Sequence, residues 1–566
     1  MRTLLLILRV AAVLIGAAHA GISIRDHMMN EDGIQYLDLG DAYAQGDWSH
    51  VNSVWSPLYP FILGLAVRFA EPGPRWEFAV AHLVTLGIYI LALCCFEFFW
   101  RTTWRALRAG SRADEPAQVT LPAWAWWLSG YALFVWSSVV LIRFRAVSPD
   151  MLVAALVYLA AGCLVRTASP SASGKDHALL GMTLGLGYLA KAVMFPLALV
   201  FLGAAGYLDR SPGKLRRWLV GTATFALVAI PLVLALSVQK GRLTFGEAGQ
   251  FTYLKHVNDM PYPHRADEIP AGLGTPVHPT RLVHESPDVY EFASPVPGTY
   301  PVGLDPSYWA EGVSPRFEWR QQLRVFTGNA AYYAELFCWQ LGGPLALTLL
   351  LLWLGPDTLR RGFAWRWPLA LIAVASTALG VYALVYVDGR YLAPFVLMLL
   401  AGLITLVRLP DTTLSWRAVV TAGILIPVFL LIELSAFDAK YVPRRLTPGA
   451  IAWDTRAAFR RPDAPWRIAE AMHEVGIQPG DRIGFIGYAY GATFARLAQV
   501  QITAEMSWEE ARKFWKQEPE ARDEVLKTFS RAGAVAVVSE VPPPKSWGWI
   551  ELSRSGRYAI LMEHDR

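Results

Sequence analysis

The residues best suited to chemistry lie between Glu31 and Pro60, EDGIQYLDLGDAYAQGDWSHVNSVWSPLYP, between the first and second apolar segments. This stretch gathers Asp32, Asp38, Asp41 and Asp47 beside Trp48, Trp55 and Tyr59. Carboxylates at a membrane boundary are costly unless they are solvated or used. In Asp32-Gly33-Ile34-Gln35-Tyr36, the four-residue spacing puts Asp32 and Tyr36 on one face of a helical turn. A carboxylate so placed could take a proton from an attacking hydroxyl, as a general base. The same aspartate also suits a helix N-cap or a solvated surface. Asp38, Asp41 and Asp47 read as solvated acids. The proline-bracketed turn WSPLYP at 55–60 either anchors Trp55 and Tyr59 at the interface or makes them the rim of a lipid or sugar site.

Three further places put charge beside apolar runs. Arg143, Arg145 and Asp150 lie in RFRAVSPDM, Lys191 ends GLGYLAK, and Asp388 and Arg390 lie in VDGRY with Tyr391. Juxtamembrane charges pair with one another or line a cavity. Arg143, Arg145, Lys191 and Arg390 could bind a phosphate, arginine by a bidentate fork and lysine as a point charge. Snorkelling to the interface is the competing explanation. His256, His264, His278 and His284 show no compact ligand spacing, so the sequence carries no metal motif. Gly484, Gly487 and Gly491 follow a strand pattern without the dinucleotide-binding spacing, and read as a tight strand-to-helix turn.

The elements that hold these residues belong to a membrane protein. Of 566 residues, 54% are hydrophobic and only 17% charged, against about 25% charged in soluble domains. Twenty-three Trp and 26 Phe fit a large interfacial surface. The net charge of +5 is small, and no basic cluster would track nucleic acid. Cys94, Cys95, Cys163 and Cys338 form no disulfide framework. The first segment resembles a secretory signal, but Arg9 interrupts its apolar core and favours an uncleaved anchor.

Roughly eleven apolar runs approach the ~20 residues of a span. They are 4–22, 76–100, 121–141, 151–165, 178–190, 193–208, 218–238, 342–354, 367–387, 391–407 and 419–437. With this set, Arg2 and five basic clusters (101–112, 166–175, 210–217, 360–366 and 408–417) fall on one side, which the positive-inside rule makes cytoplasmic. That test splits 178–208 at Lys191 into two short helices. It also makes Pro57–Ala70 an interfacial or half-inserted helix. Residues 23–75, a 239–340 insert and the chain beyond 437 then lie outside. The insert holds eleven of the 37 prolines, which excludes one long helix, and its aromatics argue for order.

The fold expected is therefore a mainly α polytopic domain, 1–437, with a small C-terminal α/β domain, 438–566. In the latter, strand patterns at 482–488, 500–504, 534–539 and 557–562 alternate with helical ones at 462–475, 493–498 and 509–531.

Taken together, residues 1–437 resemble the GT-C glycosyltransferases, the integral-membrane class that includes protein O-mannosyltransferases and lipid A aminoarabinose transferases. The features similar to that class are the acidic first outer loop, Asp32 four residues before Tyr36, and W-x-P-L-Y-P. They also include GLGYLAKAV at 185–193, SPDML at 148–152 and GRYLAPF at 389–395. The resemblance implies Asp32 as catalytic base, Lys191 and Arg390 near a lipid phosphate, and Asp150 as a positioning acid. Glu31, Tyr36, Trp55, Tyr59, Arg143, Asp388 and Tyr391 would complete the substrate site. Val54-Trp55-Ser56-Pro57 departs from the acid-Lys-Pro-Pro stretch of the aminoarabinose transferases, and Gly33 follows Glu31-Asp32 where the mannosyltransferases have an Asp-Glu pair.

The implied partners are membrane lipid, a polyprenyl-phosphate sugar donor and a glycan, lipid or protein acceptor, with no nucleic acid. No cofactor is implied beyond that donor, and a divalent ion stays open. The implied location is the inner membrane, with the N-terminus cytoplasmic. Two alternatives remain. A lipid transporter or flippase would also need charges and broken helices, and a non-catalytic envelope assembly protein would tolerate neutralisation of Asp32.

Overall fold

The computed structural model describes residues 1–109, 118–143, 145–261, 265–292, 296–355, 366–441, 463–544 and 547–562. The predicted eleven apolar runs are all helical. They begin with α1 (Arg2–Arg25), and α2 (Glu31–Ala44) and α3 (Leu58–Ala70) lie before the next long helix, α4 (Glu77–Ala109). Then follow α5 (Ala123–Trp136, continued by a π turn to Leu141), α6 (Asp150–Thr167), α7 (Gly174–Ala190), α8 (Met194–Leu208) and α9 (Lys214–Lys240). After the insert come helices Gly342–Leu354, Arg366–Ala383, Gly389–Leu406 and Thr413–Tyr441.

Among the described residues, eight of these are long and apolar enough to cross a bilayer. A ninth span is available if Trp319–Gln340 and Gly342–Leu354, bent by 77°, count as one. The number of full spans is thus below the eleven expected. The difference is length: α7 has 17 residues and α8 has 15. The break between them falls where the charge pattern put it. α7 is capped at Lys191, whose backbone is extended, and α8 begins at Met194.

The acidic stretch 31–44 is itself a helix, with Glu31 and Asp32 in its first turn, where a negative charge suits the helix dipole. Asn30, not Asp32, occupies the N-cap position. α2 crosses α3 at a point made of two glycines, where a Cβ on Gly64 would overlap the Gly40 carbonyl. Pro57 and Pro60 sit at the start of α3, where proline is tolerated.

The insert and the C-terminal region share one sheet. Its seven strands are β2 (Arg281–His284), β3 (Val289–Glu291), β5 (Arg482–Ile486), β6 (Gln501–Met506), β7 (Ala536–Ser539), β8 (Ile550–Leu552) and β9 (Arg557–Leu561), in the order β2-β3-β6-β5-β7-β9-β8. β5 runs parallel to β6 and β7, and the outer pairings are antiparallel. A separate short ladder joins β1 (Gln118–Val119) to β4 (Leu409–Pro410). The last part of the insert, Trp319–Gln340, is continuous helix, α for Trp319–Ala334 and π for Glu335–Gln340. The expectation that the insert excludes a long helix holds only up to residue 318, because all eleven prolines precede that point. Residue 462 of the C-terminal helical prediction is outside the described residues, whereas the last predicted strand, 557–562, is described throughout and forms β9 over Arg557–Leu561.

Candidate functional site

Several of the charges picked out from the sequence meet at one place. Asp32 enters from the first turn of α2, Asp150 from the first residue of α6, and Lys191 from the α7–α8 break. Arg390 comes from the start of helix Gly389–Leu406. Lys191 Nζ lies 2.5 Å from Asp150 Oδ1 and 3.6 Å from the Tyr391 ring centroid. Ser148 Oγ donates to Asp150 Oδ2 at 3.0 Å. Asp150 is buried, so its charge depends on these partners.

Arg390 is surrounded by carboxylates without closing on any of them. Its guanidinium stands 3.8 Å from Asp32, 3.7 Å from Asp150 and 3.6 Å from Asp388. One NH2 reaches the Tyr391 hydroxyl at 3.1 Å. Its Nε is buried with no hydrogen-bond partner among the described residues. A planar fork with unused donors is what a phosphate oxygen requires. Asp388 caps the helix, accepting the Arg390 backbone N–H at 3.1 Å.

These groups open on a cavity of about 780 Å³. Its wall includes Asp32, Tyr36, Trp55, Asp150, Lys191, Arg390 and Tyr391 from the membrane domain, together with Tyr382 and Tyr386. The insert adds Lys255, His256 and Arg265, and the C-terminal region adds Tyr488, Tyr490, Glu505 and Ser507. Tyr36 is fixed edge-on between Trp55 and Tyr59, at centroid distances of 5.1 and 5.2 Å. Trp55 Nε1 donates to the Gly303 carbonyl at 3.0 Å, tying the wall to the insert. Burial first, and then the charge of Asp32, hold the Tyr36 phenol well above its ordinary range, so it stays a neutral wall residue.

The structure does not bring every predicted residue to the cavity. Glu31 is exposed and does not line the cavity, and Arg143 is exposed as well. Arg143 stands near the rim, where its charge acts on Tyr386. Tyr59 is fully buried behind Tyr36, and Asp388 acts through the helix cap. His278 and Glu311 pair away from the cavity, and no group of three His, Cys, Asp or Glu among the described residues could hold a metal.

Two features were absent from the sequence reading. The first is Tyr490, whose hydroxyl donates to Asp32 Oδ1 at 2.7 Å across 458 residues. Burial and the Asp32 charge raise its phenol well above the ordinary value, which keeps it a donor. The local signal is the aromatic pair in GYAYG, 487–491, between glycines whose spacing predicts a turn. The second concerns Asp38 and Asp41, predicted as solvated. Arg496 reaches Asp38 at 2.8 Å, Asp41 at 2.6 Å and Glu77 at 2.7 Å. Thr299 adds its backbone N–H and hydroxyl to Asp38 at 2.7 and 3.1 Å. Asp38 is therefore a buried anchor that ties α2 to the insert and the C-terminal region, while Asp47 stays at the surface with Ser49.

Fold and site together define a multi-pass helical membrane protein with an α/β region seated over a charged cavity at the helix ends. No family model matches the chain, and no curated protein does. Among solved structures it is similar to ArnT from Cupriavidus metallidurans bound to undecaprenyl phosphate, with 13% identity, 97% of each chain covered and a TM-score of 0.49. It is also similar to the Archaeoglobus fulgidus oligosaccharyltransferase in complex with Zn and sulfate. There the identity is 13% and the TM-score 0.46, over 94% of this chain and 67% of the other.

Proposed function

We propose that this protein is a glycosyltransferase that moves a sugar from a polyprenyl-phosphate donor to an acceptor on the extracytoplasmic side of the inner membrane, with its N-terminus cytoplasmic. The observation that carries the reading is the meeting of one half-exposed carboxylate, Asp32, with Lys191 and the unsaturated Arg390 fork in a single cavity at the ends of spanning helices. The donor's tail lies in the bilayer and its phosphate lies against Arg390 and Lys191. An acceptor hydroxyl attacks the anomeric carbon from the opposite face and gives its proton to Asp32. The bond from the anomeric carbon to the phosphate oxygen breaks, the configuration inverts, and polyprenyl phosphate leaves. The two cations stabilise the charge that develops on the leaving oxygen, in a site with little water.

Each neighbour has a part in this scheme. Asp150 positions the two cations rather than reacting, since it is buried beneath them. Tyr490 holds one oxygen of Asp32 and leaves the other toward Arg390 and the cavity. Tyr382, Tyr386 and Tyr391 offer aromatic faces suited to a sugar ring or an isoprenoid.

The test is transfer in proteoliposomes, with a panel of polyprenyl-phosphate sugars and envelope acceptors, following release of free polyprenyl phosphate. Release that disappears in folded Asp32→Asn supports the scheme. Equal release from wild type and variant removes Asp32 from it, and lipid flipping without cleavage would replace the enzyme by a transporter.

A further inference from the structure

The other end of the membrane domain carries a second charged cleft. It has a volume of about 670 Å³ and is lined by Arg9 of α1, by Glu97, Arg101 and Arg105 of α4, and by Arg166 of α6. Residues 97, 101 and 105 recur every four positions, so α4 presents them on one face. Gly162 lets α6 close on α4 at this level, because a Cβ there would meet Phe98 Cε1 at 2.5 Å. From Glu77, which holds Arg496, to Arg101 is 24 residues of unbroken α4, or about 36 Å at 1.5 Å per residue. The cleft is thus a bilayer thickness from the outer anchor, level with the basic clusters.

Its internal charges do not balance. Arg9 grips Glu97 with two bonds of 2.6 Å, and Arg101 adds a third at 3.3 Å. Tyr131 also donates to Glu97, so that carboxylate is fully used. Arg166 pairs with Asp176 at 2.6 Å. Four guanidiniums therefore face two carboxylates, and Arg105 makes no ion pair or hydrogen bond among the described residues. Snorkelling would send each arginine separately to water. Here they converge from three helices on one cleft, over apolar side chains that include Phe98 and Val165.

We propose that this cleft binds the phosphodiester headgroup of an anionic phospholipid, in the leaflet opposite the cavity. Arg105 and Arg101 contact the phosphate, Arg9 is held in place by Glu97, and the acyl chains run along the apolar floor. A soluble phosphate would find the same cations but no use for that floor. The inference does not depend on the glycosyltransferase reading.

The test is native mass spectrometry of the full-length protein, titrated with phosphatidylglycerol or phosphatidylcholine in matched detergent. Wild type is expected to retain phosphatidylglycerol in preference to phosphatidylcholine. Retention should fall about fivefold in Arg105→Ala and about 25-fold in Arg101→Ala/Arg105→Ala. The unfolding midpoint without added lipid serves as the control for folding, and Arg105→Gln is the milder second variant. Unchanged retention in the folded double variant, or equal retention of the two lipids by wild type, overturns the proposal. Stronger binding of undecaprenyl phosphate than of phosphatidylglycerol at this cleft would overturn the phospholipid assignment.

Discussion

Two charge clusters sit along α2, and they are built in opposite ways. At Asp38 and Asp41, Arg496 is saturated: three carboxylates lie at 2.6–2.8 Å, and Thr299 fills the rest of Asp38. At Asp32, six residues before Asp38, Arg390 faces three carboxylates at 3.6–3.8 Å, and its Nε bonds to none. Burial raises the Asp38 carboxyl even against the pull of Arg496 and Thr299, as expected where a charge is enclosed. Closed ion networks hold elements together. Open ones keep donors available for a ligand, and the difference lies in about 1 Å of separation rather than in residue type.

Neutralising the open cluster should have the largest effect on activity. Asp32→Asn keeps an acceptor for Tyr490 and should reduce donor cleavage by about 10²–10⁴-fold, with an unchanged unfolding midpoint. Arg390→Ala should follow, at about 10²–10³-fold in the same release assay, again with little loss of fold. Arg496→Met inverts the pattern. It leaves three acidic groups facing one another and should lower stability by about 3–5 kcal/mol, read by chemical unfolding of the purified protein. Tyr490→Phe removes one hydrogen bond to a charged group and should slow cleavage about tenfold. Asp41→Asn should change stability by less than ~1 kcal/mol, because that carboxylate is partly exposed and solvent screens it. If Arg390→Ala destabilised the protein as much as Arg496→Met, the distinction between closed and open clusters would fail.

Much of the open cluster was legible in the sequence. Asp32, Asp150, Lys191 and Arg390 each interrupt or border an apolar run, and isolated charges there must pair or line a cavity. The helix break at Lys191 followed from charge bookkeeping across the bilayer. The closed cluster was not legible. Asp38 and Asp41 have the spacing of surface acids, and their partner lies 458 residues away from Asp38. Likewise β2 and β3, with four and three residues among prolines, carry too little pattern to read as strands. They exist because β6 offers β3 an edge, and β3 in turn offers one to β2.

By itself, the sequence determined which segments are helical and apolar, where they break and which charges border them. It also marked the C-terminal region as alternating strand and helix. These features follow from local periodicity and from the cost of placing charge in hydrocarbon, so a linear reading can reach them. Only the tertiary structure decided that the insert and the C-terminal region make one sheet, that Arg496 locks that region to α2 and α4, and that Tyr490 reaches Asp32. Such contacts depend on shape and on the approach of distant segments, and no spacing along the chain encodes a hydrogen bond between residues that meet only after folding.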